Sequence, residues 1–226
     1  MKSASRKPEY IQELRPDQVT DLLPNRSTWD KHYTRKRAAQ EYPDENLVRL
    51  LKSFPGQTAL DLGCGSGRHI ALLRDCGYSS IHATDVSETG LELCRKKYRY
   101  AVFHPLDIKM LKKDEFRLPL EDESLDAVVA WGVLHYNSET MIRSMLLEIR
   151  RILRSGGRFF GTLRSDRDTH FKNNPDMQGA EVRLFSRDDV KDLLLEYFCD
   201  VSLGYSERIP MGSKYRVSHW IFSASN

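Results

Sequence analysis

Between residues 58 and 67 a short apolar run, Thr58-Ala59-Leu60-Asp61-Leu62, breaks into Gly63-Cys64-Gly65-Ser66-Gly67, and an amphipathic segment starts directly afterwards. An apolar run of this length bounded by a turn reads as a buried strand. Glycine at every second position lets the backbone turn sharply and lets a ligand approach with no side chain in the way. The free amides of the helix that follows face the same spot. Strand, glycine turn and helix, in that order, form the first half of a parallel crossover unit.

The same alternation runs on. Strands are expected at 58–62, 81–84, 101–103, 126–131 and 158–163. Between them lie helical stripes: His69, Leu72, Leu73 and Cys76, ended by Gly77; Leu91, Cys94 and Tyr98, capped by Ser87; and Met145, Ile149 and Ile152, ended by Gly156-Gly157. Upstream, Leu47, Leu50, Leu51 and Phe54 share one helical face that Pro55-Gly56 stops. Downstream, Ser186 and Asp189 resemble a capping box ahead of Val190, Leu193, Leu194 and Tyr197. Two strands near 198–203 and 215–222 close the chain with no helix between them, so they can pair antiparallel. The predicted fold class is α/β: one domain, a seven-stranded and mostly parallel sheet with helices on both faces and an antiparallel last strand. In such sheets ligands bind beyond the carboxyl ends of the strands, where strand order reverses.

The glycines by themselves fit a tight strand-to-helix turn, and three features point further. A dinucleotide fingerprint wants its third glycine three residues after the second; counted from Gly65 or Gly67, that position is Arg68 or Ile70. The spacing argues against a pyrophosphate cradle. Asp61 places a carboxylate just before the loop, where it repels an anion and welcomes a cation. Asp85 closes the second strand, 22 positions after Gly63, where a carboxylate can take two hydrogen bonds from a ribose diol. A helix N-terminal role beside Ser87 is the plainer alternative for Asp85.

With these residues in place, the chain resembles the class I, Rossmann-like, S-adenosylmethionine-dependent methyltransferases. The runs ALDLGCGSGRHIALL, ATDVSETGLELCRKK, LPLEDESLDAVVAWGVLHY and RILRSGGRFFGTL are similar to their successive motifs, in order, across about residues 40–222. The resemblance implies S-adenosylmethionine as cofactor and S-adenosylhomocysteine as product. It implies that Gly63, Cys64, Gly65 and Gly67 line the methionine and ribose end, and that Asp61 holds the amino group through water. Asp85 would bind the ribose hydroxyls, Val86 would lie beside the adenine, and Asp107 with Ile108 would read its edge. In many relatives a Leu-Pro pair follows that aspartate closely; here it is Leu118-Pro119, so 109–117 reads as an insertion able to supply adenine contacts. Leu125 stands where relatives often carry an aromatic.

Methyl transfer is an in-line displacement, so the protein must align the acceptor and exclude water. Trp131 to Tyr136 follow the fourth strand and, by the resemblance, run under the cofactor and face the acceptor. His135 is a candidate general base, or a residue that shapes the pocket. Tyr136 and Arg164 are candidates for aligning the acceptor, Arg164 by receiving a carboxylate or phosphate; Arg167 and His170 read as a solvated loop. Residues 1–42 form a polar N-terminal arm ahead of a domain at 43–226, and Trp29, Tyr33 and Arg37 lie four apart on one face of a helix there. That stripe is either an aromatic lid over the cofactor, with Tyr33 touching it, or an anchor for the arm.

Composition narrows the class. The chain of 226 residues is 40% hydrophobic and 30% charged, as in soluble globular proteins. Its net charge of +3 is spread without a basic stripe, and Arg95-Lys96-Lys97 reads as a solvated helix face. Nucleic acid is therefore not the expected partner; an RNA or tRNA methyltransferase and a non-catalytic cofactor-binding module are the alternatives. No aspartate cluster resembles a magnesium site, so metal-independent O- or N-methylation of a small molecule is expected. Cys64, Cys76, Cys94 and Cys199 lack metal or redox spacing and read as reduced packing residues, in keeping with the cytoplasm. The N-terminus lacks a signal-like apolar core, and the longest strongly apolar stretch, 127–134, is too short to span a bilayer.

Overall fold

The computed structural model describes residues 26–34, 41–104, 106, 111, 113–171 and 182–226. Its helices are α1 (Arg26–Tyr33), α2 (Glu45–Lys52), α3 (Arg68–Asp75), α4 (Glu88–Lys97), α5 (Glu139–Ile152) and α6 (Arg187–Leu195). Its strands are β1 (Thr58–Leu62), β2 (Ser80–Thr84), β3 (Val102–Phe103), β4 (Leu125–Ala130), β5 (Leu153–Arg164), β6 (Val201–Arg208) and β7 (Val217–Ser225). They form one sheet in the order β3-β2-β1-β4-β5-β7-β6. The pairs among β1 to β5 are parallel. β7 runs antiparallel to both β5 and β6. The chain winds outwards from β1 to β3 and returns to β4 on the other side of β1, so strand order reverses between β1 and β4.

Local chemistry sets the helix starts. Asp44, Ser87, Ser138 and Ser186 each accept a backbone N–H from the first turn of their helix. Ser186 and Asp189 complete the capping box in both directions. Side chains alternate across the sheet with period two. Leu60, Val128 and Phe159 pack with Ile149 and Leu194 on one face. Ala59, Val129 and Phe160 pack with Leu47, Ile70 and Leu73 on the other.

Three boundaries differ from the sequence expectation. α5 stops at Ile152 and β5 begins at once, so Gly156 and Gly157 lie inside the strand. The cause is tertiary: Leu153 is buried and pairs with Leu125, and Arg154 forms a 2.5 Å ion pair with Asp126, whose carboxylate also receives the amides of Gln57 and Thr58. β4 ends at Ala130, leaving Trp131 and Gly132 in a turn, where Gly132 takes φ +77°. β6 begins at Val201 because Phe198 still belongs to the helix end, donating its amide to Leu194 and packing 5.4 Å from Phe159.

Candidate active site

The site lies at the β1/β4 reversal. After β1, Gly63, Gly65 and Gly67 all adopt positive φ, at +72°, +54° and +86°. The amides of Gly63 and Cys64 both donate to the Thr84 carbonyl, which folds the loop back over the end of β2. A Cβ at Gly63 would collide with Val133, and one at Gly65 with the Tyr33 hydroxyl. Both positions thus need glycine for close approach as well as for backbone conformation.

Two carboxylates flank this loop. Asp61 is 1% exposed, and neither of its oxygens has a hydrogen-bond partner among the described residues. The nearest ring nitrogen, His69 Nδ1, is 3.9 Å away. Burial pushes the Asp61 carboxyl up to about 7 against the opposing charge of Arg68. Asp85 lies on the cavity surface, and the backbone aims its carboxylate: Oδ2 accepts from Gly65 N and Oδ1 from Ser87 N, both at 2.8 Å. Desolvation pushes it up to about 6, while those N–H bonds oppose the rise.

Asp85 borders a cavity of about 290 Å³. Gly63, Thr84, Asp85 and Val86 supply its strand-end floor. Val133, Tyr136, Asn137 and Ser138 supply one side; Leu111, Asp114 and Phe116, with Met141 and Met145 of α5, supply another. The roof is α1, through Arg26, Trp29 and Tyr33. α1 is held by Asp30, which accepts the Ser87 hydroxyl at 2.6 Å, and by Tyr33 lying over Gly65 and Gly90. Trp29 stacks on Tyr33 at 6.3 Å and meets Tyr136 edge-on at 4.9 Å.

Of the residues singled out from sequence, Trp29, Tyr33, Gly63, Asp85, Val86 and Tyr136 line the cavity. Asp61, Cys64, Gly65 and Gly67 shape the loop beside it without lining it. The Cys64 thiol, next to Cys94 and buried, is held well above its usual range, and Cys94 Sγ donates to the Gly65 carbonyl at 3.0 Å. Trp131 turns towards His69, 6.3 Å between rings, and is not among the lining residues. His135 and Arg164 also lie behind the wall. His135 is fully buried, with its ring 5.8 Å from His219, and burial holds its pKa well below the usual histidine range. Arg164 donates to Asp168 at 3.1 Å and to the Tyr136 hydroxyl at 3.3 Å. Arg37, Asp107 and Ile108 lie outside the described residues. Sequence reasoning did not pick Asp30, Arg26, Asp114, Phe116, Met141 or Met145. The methionines carry the spacing of an ordinary buried helix face, and the others gain meaning only once α1 and 111–118 are placed over the sheet.

Residues 59–157 match the family model described as a methyltransferase domain. An O-methyltransferase of Pyrenophora dematioidea is 34% identical over 113 residues, 50% of this chain and 41% of that protein. The tRNA (carboxymethyluridine(34)-5-O)-methyltransferase of Arabidopsis thaliana is 27% identical over 128 residues, 56% of this chain and 28% of that protein. The chain spans less than half the length of the curated relatives it matches. The crystal structure of Burkholderia thailandensis 1,6-didemethyltoxoflavin-N1-methyltransferase, with 1,6-didemethyltoxoflavin and S-adenosylhomocysteine bound, superimposes with a TM-score of 0.65 at 16% identity, covering 97% of this chain and 93% of that one. Sheet order, glycine loop and matched domain agree: residues 59–157 carry a methyltransferase domain, on a fold shared with solved S-adenosylmethionine-dependent methyltransferases. The cofactor of that class is S-adenosylmethionine, and the site fits it. An unpaired buried carboxylate suits a cationic ligand, the glycine loop leaves room for close approach, and each Asp85 oxygen keeps a lone pair for a ribose hydroxyl.

Proposed function

We propose that this chain transfers a methyl group from S-adenosylmethionine to an oxygen or nitrogen of a small molecule, without a metal ion. The observation that carries the reading is continuity. Gly63, Asp85 and Val86, the cofactor-side residues, border the same cavity as Trp29, Phe116, Tyr136 and Met141, so donor and acceptor can be held in one enclosed space.

Asp85 holds the ribose diol and Asp61 balances the charge of the methionine amino group. Val86 and Leu106 flank the adenine, whose edge Asp107 and Ile108 read. When bound, the cofactor supplies a methyl carbon on a positively charged sulfur, and the acceptor's lone pair takes that carbon while the C–S bonding pair stays on sulfur. The residues of this chain exclude water and orient the acceptor: Tyr33 and Trp29 close the roof, and Arg164 fixes the Tyr136 ring in the wall. His135, buried behind that wall, shapes the pocket and does not take the proton. The four cysteines are free, in keeping with work in the cytoplasm.

Titration calorimetry with S-adenosylhomocysteine and with NAD tests the cofactor half: binding of the first and none of the second is expected. Asp85→Ala should weaken S-adenosylhomocysteine by about one to two orders of magnitude, the worth of charged hydrogen bonds to a ligand. Incubation of cell extract with methyl-labelled cofactor tests the acceptor half, with label expected in a low-molecular-weight product. The similarity to the tRNA enzyme favours a second reading, methylation of RNA, which predicts label that ribonuclease releases.

A further inference from the structure

The cavity wall next to the glycine loop is aromatic, and the nearest cations, Arg26 and Arg164, each face a carboxylate. Tyr33 covers Gly65, Trp29 stacks on Tyr33, and Trp29 meets the edge of Tyr136, so an aromatic corner stands beside the loop at its methionine end. Behind it the Arg164 guanidinium lies 6.0 Å from the Tyr136 ring and 5.5 Å from the Phe171 ring, alongside the pair. That cation is 8% exposed and faces Asp168, which is 3% exposed. The Asp168 carboxylate also takes the amides of Ser218 and Phe171, both at 2.9 Å, so it is fixed from two further elements.

Two other features could attract an anion. The N-terminus of α5 opens on the cavity at Ser138, and helix N-termini favour negative charge. Ser138 Oγ, however, donates to Asp114 Oδ1 at 2.8 Å, so a protein carboxylate already stands there. Arg26, in the roof, lies 3.8 Å from Asp30 one turn along α1. Arg164, Arg26 and the α5 N-terminus thus each face a carboxylate, and Asp85 adds a further negative charge. An acidic acceptor would bury its charge beside these groups without a partner, at a large cost. A flat ring would find edge and face contacts.

We infer that the methyl acceptor is an uncharged aromatic or heteroaromatic molecule carrying a hydroxyl or ring nitrogen, received against Trp29 and Tyr136. This rests on the methyl-transfer reading above and narrows it. The acceptor proton leaves to solvent as the new bond to carbon forms, so no base within the wall is required.

The test is calorimetry on protein saturated with S-adenosylhomocysteine, titrated with naphthol, with hydroxynaphthoic acid and with decanol. Naphthol should bind at least about tenfold more tightly than either of the others. Trp29→Ala should cost naphthol about three- to tenfold, the worth of one aromatic contact, and leave S-adenosylhomocysteine within about threefold. Asp168→Asn uncovers the Arg164 charge and should narrow the gap between acid and naphthol. If that variant does not fold, the wild-type ranking and Trp29→Ala still decide. The inference is overturned if the acid binds as tightly as naphthol, if decanol binds better, or if none of the three binds while S-adenosylhomocysteine does. Loss of S-adenosylhomocysteine binding itself overturns the methyl-transfer reading instead.

Discussion

In the proposed cofactor site, Asp61 is a buried carboxylate without a hydrogen-bond partner among the described residues, a position that costs folding free energy in return for ligand affinity. It and Asp85 stand above the ordinary carboxylate value of 3.8, at about 7 and about 6, because burial disfavours their charge. The folded chain therefore binds these protons more tightly than the unfolded chain. Their contribution to stability is poorest above pH 7 and improves as pH falls towards 4. Cofactor affinity runs the other way, since both groups serve as carboxylates. Affinity for S-adenosylhomocysteine should drop as pH falls through about 7 and about 6, with proton release on binding at neutral pH, read by calorimetry in two buffers. Asp61→Asn should stabilise the ligand-free protein at pH 8 by on the order of a few kcal/mol, weaken the cofactor, and lose most of its stability advantage by pH 4. Equal melting temperatures for the two proteins at pH 8 would sink this account. At His135 the expectation is different. The ring is buried and held neutral behind the wall, so His135→Gln should leave the pH profile of turnover unshifted. Loss of an ascending limb would restore it as a base.

α1 is the element whose docking creates the enclosed site. Its own sequence, RSTWDKHY, buries no residue fully, and eight residues are too few for an isolated helix to be stable in water. It stays in place through Asp30 on Ser87 and Thr89, and through Tyr33 on the glycine loop. Asp30→Ala should therefore release α1 and leave the domain folded. The hydroxyl and amide bonds lost are worth about 1–3 kcal/mol together, enough to raise hydrogen exchange across 26–33 by roughly tenfold or more, with a change of only a few degrees in Tm. Unchanged exchange there would show that Tyr33 alone suffices. The helix caps needed no such support: Ser87, Ser138 and Ser186 satisfy their first turns locally, and Ser87 and Ser186 are legible as caps in the sequence.

Across the whole molecule, Glu148 joins the 111–118 segment to the sheet-covering helices. It is 3% exposed, accepts the Leu118 amide at 2.8 Å and pairs with Arg151 at 2.6 Å and Arg117 at 3.3 Å. Glu148→Ala should cost about 1–3 kcal/mol by leaving the buried Leu118 amide unmatched, while Arg151 keeps Asp122, and it should loosen the wall that carries Phe116, seen as weaker binding of S-adenosylhomocysteine as well as a lower Tm. What the sequence by itself determined is what local rules govern. Period-two and helical spacing specify strands and helices, and glycines specify a loop with positive φ, with a carboxylate at the end of β2 beside it. These depend on residues a few positions apart, so they survive without tertiary context. Only the tertiary structure decided that β5 starts at Leu153, since that needs Leu125 and Asp126 from a distant strand. It alone placed Tyr136 on the cavity with His135 and Arg164 behind it: Leu134–Tyr136 form a 3-10 turn after β4, in which successive side chains point in different directions. The proposed acceptor surface, assembled from the cavity residues Trp29, Phe116, Tyr136 and Met141, joins segments more than a hundred residues apart. No periodicity along the chain records which of them will meet, since that contact is set by how the whole sheet and its helices pack.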